Sequence, residues 1–389
     1  MKILISVRHP GPAQAVIPVL KWIDREYEEV ITVLSGKATE FVKSNFYEDM
    51  DERTVYLFSN GEWIKKQFDI TSVSEELCEY DSTESEEFEH LVEAMAEILK
   101  EEQPDVILRT TPAIDFGTDE AITIATDRLG MSDRLRCYQE CYDCGQLLDN
   151  LTYPVAVVDK IAKERMERRG IGAVVAGWML QGVFAKYRDY DVSRSGARAR
   201  MGLAENDTAY LYCMIASGDF EAEKRHFKFF LDSIGDRRFW ILFHPRNTKQ
   251  QKDEYLSMAA NLDYQVVKEM KRDEILSFSD MIISLGSAIN IDAIQYQIYC
   301  RCEKMNTVSV YTYGDVTRSV FRRVFGEDSQ PFSEENRGSV IVDETNYDMI
   351  FEDEHKICRK ELMNQALQIF GSRDCHEGEG LIEYIKGIK

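Results

Sequence analysis

The segment Asp280-Met281-Ile282-Ile283-Ser284-Leu285-Gly286-Ser287-Ala288-Ile289-Asn290-Ile291-Asp292-Ala293-Ile294 constrains the fold more than any other part of the chain. The apolar run Met281 to Ile283 fits a parallel strand covered on both faces. Ser284, Gly286 and Ser287 make a turn. Ser287 is then placed to cap a helix carrying Ile289, Ile291, Ala293 and Ile294, whose first N–H groups point past the strand end. Such a strand, turn and helix N-terminus can hold a phosphate. The same pattern also suits an ordinary βα corner, so its surroundings must separate the two.

Those surroundings repeat the pattern. Ile3 to Val7, Val30 to Leu34, Thr54 to Phe58 and Asp105 to Arg109 read as strands, and Ala13 to Glu26, Phe88 to Glu101 and Asp119 to Leu129 as amphipathic helices between or after them. Val155 to Val158, the helix Lys160 to Arg169 and the strand Val174 to Gly177 close a first series. Residues 178–197 lack periodicity and read as a linker. A second series follows, with strands at 209–215, 239–243, 265–267, 281–283, 308–310 and 340–342. Its helices lie at 220–234, 255–260 and 272–278, with a last one over 354–370. Repeated βα alternation predicts parallel, doubly wound sheets. The expected fold class is therefore α/β, with two Rossmann-like domains facing across a cleft. Residues 1–178 form the first domain and 198–370 the second. Residues 371–389 are a C-terminal tail free to pack back on the first.

Composition narrows the function. The 47 basic and 69 acidic residues give a net charge of −22, which disfavours nucleic acid as a partner. No apolar run approaches the roughly 18 residues of a transmembrane segment, and Met1 to Ile5 reads as a strand rather than a signal peptide, so the expected location is cytoplasmic. Nine cysteines without a secretion signal indicate reduced thiols. Cys137, Cys141 and Cys144 could supply three zinc ligands, but no second paired motif completes the site, and no metal is expected.

Three segments carry a family resemblance. Phe239 to Arg246 is a strand ending in His244-Pro245. Ser279 to Ser287 matches the pattern Ser-Asp, three hydrophobic residues, Ser-x-Gly-Ser. Val157 to Gly177 resembles an interdomain helix followed by a short strand. Together they resemble the C-terminal half of GT-B glycosyltransferases and the UDP-N-acetylglucosamine 2-epimerase group. The resemblance implies a nucleotide-diphosphate sugar as co-substrate, no metal or other cofactor, and a small-molecule or glycan acceptor. Two departures stand out. The Gly-rich loop that opens many relatives is here Gly11 to Pro18, with Ala15 where the motif has His. The epimerase Asp-Ser-Gly-Gly is replaced by Ser284-Leu285-Gly286-Ser287, which places the transferase ahead of the epimerase.

A departing nucleoside diphosphate needs helix N-termini and cations where charge develops. The resemblance and strand-end positions nominate Gly11, Ser217, Gly218, His244, Arg246, Ser284, Gly286, Ser287, Asn290 and Asp292 as substrate-binding residues. Arg246 is the leading cation, because its guanidinium can bind phosphate oxygens in pairs. His244 suits a structural role at the strand end, and Asp292 a ribose or sugar hydroxyl. An inverting transfer also needs a general base, for which His9, Asp115 and Glu120 are the candidates at the end of the first sheet. Three functions fit: a glycosyltransferase of polysaccharide biosynthesis, an epimerase or hydrolase of the same donor, and a non-catalytic nucleotide-binding or scaffold protein. Association into a homo-oligomer is left open.

Overall fold

The computed structural model describes residues 2–8, 12, 29–34, 55–57, 80, 82–110, 116–140, 147–148, 151–177, 190–204, 206–216, 219–299, 308–312, 338–343, 345–352, 359–370 and 379–387. The chain divides into two compact units, one formed by Met1–Gly182 with Cys375–Lys389 and the other by Val183–Asp374.

The first unit contains β1 (Lys2–Val7), β2 (Glu29–Leu34), β3 (Val55–Leu57), α1 (Glu86–Glu102), β4 (Val106–Thr110), α2 (Thr118–Arg128), β5 (Leu135–Gln139), β6 (Val155–Val157), α3 (Lys160–Arg168) and β7 (Ala173–Val175). Its strands form one parallel sheet in the order β3-β2-β1-β4-β5-β6-β7. The helix α1 follows from its sequence. Ser85 accepts a hydrogen bond from the Phe88 N–H at 3.1 Å, and Phe88, Leu91, Val92, Met95, Ile98 and Leu99 form one buried stripe. Strand β5 escaped the periodicity because Arg136 and Gln139 interrupt its apolar residues. All five of its residues are nevertheless buried. The Arg136 guanidinium lies 3.3 Å from the centre of the Tyr153 ring and donates to the Asp133 carbonyl, so its charge is accommodated.

The second unit contains α4 (Tyr190–Arg200), β8 (Tyr210–Cys213), α5 (Phe220–Ile234), β9 (Phe239–Leu242), α6 (Lys249–Met258), β10 (Tyr264–Val266), α7 (Arg272–Phe278), β11 (Met281–Ser284), α8 (Ala288–Tyr299), β12 (Val308–Thr312), β13 (Val340–Val342), α9 (Met349–Glu352) and α10 (Arg359–Phe370). Its parallel sheet runs β10-β9-β8-β11-β12-β13. An aromatic core fixes α5 to it: Phe230 lies 4.8 Å from Tyr212 and 5.1 Å from Phe239, centre to centre. The helix α4 falls where a linker was expected. Among its described side chains, two arginines carry much of its anchoring, a signal that periodicity does not register. Arg194 and Arg198 both bind Asp280, at 2.5 and 3.0 Å, and Asp280 also accepts from the Ala209 N–H.

The last helix, α11 (Glu379–Ile385), belongs to the first unit. The Tyr384 hydroxyl accepts from the Cys137 N–H at 3.1 Å, and Gly380 lies against the Ala176 carbonyl. Among the described residues no helix is long and apolar enough to cross a membrane.

Candidate functional site

In the second sheet the chain moves outward from β8 to β9 and β10, then returns to place β11 on the other side of β8. The segments that follow β8 and β11 therefore diverge. Such a switch point opens a crevice at the carboxyl ends of the strands.

The β11 corner is built more tightly than its sequence suggested. The Ser284 hydroxyl is fully buried and accepts the N–H groups of Gly286, at 3.0 Å, and Ser287, at 2.8 Å. It donates in turn to Asn290 Oδ1, while Asn290 Nδ2 donates to the Ile282 carbonyl at 3.1 Å. Ser284 and Asn290, expected to bind substrate, brace the turn, and the Gly286 and Ser287 amides donate to that brace. Gly286 has φ +133°, a conformation that L side chains rarely adopt, so glycine is required there. What the corner presents is the half-buried Ser287 and the head of α8.

Asp292 also departs from expectation. Its side chain, expected to meet a ribose or sugar hydroxyl, is buried and paired with Arg272, the first residue of α7, so it ties α8 to α7. Burial pushes its carboxyl up to about 6, against the opposing pull of Arg272. Arg272 is the residue that sequence reasoning missed. Because α7 follows β10, its first residue lies at the carboxyl edge of the sheet. Its charge also acts on Cys213, the last residue of β8. One third of the Arg272 side chain is exposed. Its only sequence signal was a cation opening a helix after a strand.

On the other side of β8, His244, Arg246 and Asn247 form the turn after β9. His244 donates its N–H to Asn247 Oδ1 at 2.8 Å, and its Nδ1 accepts from the Arg246 N–H at 3.1 Å. Burial first, and then Arg246, holds its imidazole down to about 4. His244 is thereby kept neutral and closes the turn. Asn247 Nδ2 donates to the Ile215 carbonyl at 3.0 Å, and Arg246 Nη2 to the Ala216 carbonyl at 3.3 Å, so this turn leans on the segment leaving β8. Arg246 thus lies in the turn after β9, and Arg272 opens α7 and is paired with Asp292 of α8, the helix after β11. Ser217 and Gly218 are outside the described residues.

The first unit has its own switch point, between β1 and β4. His9, Gly11 and Asp115 lie outside the described residues there. Glu120 is fully committed: Oε1 accepts from Arg109 at 2.9 Å, and Oε2 accepts the Gly117 N–H at 2.9 Å with Arg8 3.5 Å away. All three charged side chains are wholly buried. Glu120, expected as a base, is held at both oxygens at the start of α2. Cys137 is a buried thiol pushed up to about 12 by desolvation, and Cys141 and Cys144 lie outside the described residues. Among the described residues no three His, Cys, Asp or Glu side chains gather as a metal site.

No protein-family model and no curated protein sequence matches the chain. Solved structures do. The chain is similar to a UDP-GlcNAc 2-epimerase from Neisseria meningitidis bound to UDP-GlcNAc, with TM-score 0.63, 11% identity and 100% of both chains covered. It is similar to a glycosyltransferase from Rickettsia africae at TM-score 0.62 and 13% identity, covering 100% of this chain and 98% of that one. A third likeness is to MurG from Acinetobacter baumannii, at TM-score 0.55, 11% identity and 99% of each chain. At these identities the likeness is one of fold, and the fold is GT-B-like, as the sequence pattern implied.

Proposed function

We propose that the chain is an enzyme that binds a nucleoside-diphosphate sugar at the carboxyl edge of its second sheet and transfers the sugar to a small-molecule or glycan acceptor. The observation that carries this reading is the pair Arg246, in the turn after β9, and Arg272, which opens α7 and pairs with Asp292 on α8, the helix that follows β11. Two guanidiniums and a helix N-terminus match the charge that develops on a departing diphosphate, and they make a bound metal unnecessary for the leaving group. Ser287 adds a hydroxyl at the same corner. The solved structures of similar fold support the substrate class, since one of them holds UDP-GlcNAc.

Calorimetry with UDP and uridine tests this. Arg246→Ala and Arg272→Ala should each weaken UDP binding by roughly tenfold or more, the scale of a charge-assisted hydrogen bond, and leave uridine unaffected. Ser287→Glu should abolish UDP binding by setting an anion against the phosphates. Unchanged UDP affinity in all three variants would sink the assignment.

A second reading on the same site is the epimerase. The likeness to the UDP-GlcNAc 2-epimerase, which covers 100% of both chains, favours it. The two part on the acceptor. A transferase releases nucleoside diphosphate only when an acceptor is supplied, whereas an epimerase inverts a sugar carbon with none present. Proton NMR of the protein with UDP-GlcNAc alone decides between them.

A further inference from the structure

The second sheet ends on an open edge. Strand β10 is its outermost strand on one side and pairs only with β9. The Phe239 N–H donates to the Asp263 carbonyl at 3.1 Å, and the Val267 N–H donates to the Ile241 carbonyl at 2.9 Å. In a parallel ladder this register turns Asp263, Gln265 and Val267 toward β9. The N–H and C=O groups of Tyr264 and Val266 therefore point away from it. Among the described residues nothing pairs with those outward groups.

A cavity of about 530 Å³ lies against this edge, within the range of roughly 300–1,000 Å³ typical of ligand sites. Tyr264, Gln265 and Val266 all line it. Side chains alternate across a strand, so three residues in a row meet one space along the strand's edge. Met201 and Met270 add an apolar wall, and Arg200 and Lys268 the charge. No carboxylate lines the cavity, although the chain has 69 acidic and 47 basic residues. Arg200 is paired with Glu274 and donates to the Glu269 carbonyl at 3.2 Å. Lys268 is exposed and makes no ion pair among the described residues.

We propose that β10 is a strand-addition site for an extended acidic peptide of a partner protein. The peptide pairs with the outward N–H and C=O groups of Tyr264 and Val266. It sets a carboxylate at Lys268 and Arg200 and lays an apolar side chain against Met201 and Met270. A lysine beside an edge strand can serve merely to keep other strands away, but the cavity and its lack of carboxylates favour reception. A second copy of this chain fits less well, because two-fold pairing of β10 with itself brings like charges from Arg200 and Lys268 to one interface. The proposal does not rest on the nucleotide-sugar reading.

Fluorescence anisotropy on the full chain, with labelled Glu-Val-Glu-Val-Glu and Lys-Val-Lys-Val-Lys peptides, tests it. The acidic peptide should bind and the basic one should not. Lys268→Glu should weaken acidic binding by about tenfold or more. Val266→Pro should do the same, because it removes an outward N–H and none of the bonds to β9. Hydrogen exchange gives a readout that charge attraction alone leaves unmoved: the Tyr264 and Val266 amides should slow when the acidic peptide is added. If Val266→Pro does not fold, Lys268→Glu and the exchange rates decide. Failure of the acidic peptide to bind overturns the proposal, as does equal binding of both peptides or of wild type and Lys268→Glu. So does binding that leaves the two amides unprotected. Dimerisation of the chain alone that Val266→Pro abolishes would also overturn it, by assigning the edge to a second copy.

Discussion

At the scale of single residues, neighbours in sequence have opposite tasks. Asp119 and Glu120 are adjacent and equally buried, yet Glu120 is locked by two guanidiniums and an amide while Asp119 faces only the Thr110 N–H and the Ser6 hydroxyl as hydrogen-bond donors. That difference has a measurable sign. The Asp119 carboxyl rises from about 4 in an unfolded chain to about 7 in the fold, so the folded state holds a proton that the unfolded state releases. Its stabilising share is complete below about pH 4 and is lost as pH rises through 7. Hydrogen exchange of β1 and β4, corrected for its intrinsic pH dependence, should show more protection at pH 5.5 than at pH 7.5. Asp119→Asn should flatten that difference, and an equal difference in the variant would remove Asp119 from the explanation. The carboxylate Asp292 was legible in sequence only as a polar residue near a helix start. That Arg272 occupies it depends on a contact between two helices, which no local pattern encodes.

Elements with a repeating apolar face were the readable ones. The stripes of α1 and α5 are continuous, and their expected and observed ranges agree closely because burial of one face is what made each helix. The helix α4 and strand β5 were not readable, since Arg194, Arg198 and Arg136 replace apolar residues; the first two pair with Asp280 far along the chain, and the third with Asp133 and Tyr153 nearer by. The small helix α11 is another such case. A Cβ at Gly380 would lie 2.3 Å from the Ala176 carbonyl oxygen, so this glycine sets how closely α11 approaches the end of β7. Gly380→Ala should cost on the order of 1–3 kcal/mol, as overpacking does, and should detach α11 before the rest of the unit melts. Limited proteolysis checks this: cleavage confined to the C-terminal residues is expected, and wild-type resistance would show that the contact can relax.

For the whole molecule, charge matters more than any single pair. A net −22 on 389 residues opposes compaction through self-repulsion, although individual ion pairs such as Arg198 with Asp280 are local and short. The melting temperature should rise as salt is brought from about 0.01 M to about 0.15 M, because the Debye length falls from roughly 30 Å to roughly 8 Å. A melting temperature independent of salt would mean that the acidic charge is already neutralised locally. By itself the sequence determined the parallel α/β architecture, the two βα series and the corner at Ser284 to Ser287, because these follow from the spacing of apolar and small residues along the chain. Only the tertiary structure decided which groups remain available to a ligand. It joined Ser284 to Asn290, Asp292 to Arg272 and Glu120 to Arg109 by internal bonds. Availability depends on partners that are distant in sequence, and those partners exist only once the sheets have formed.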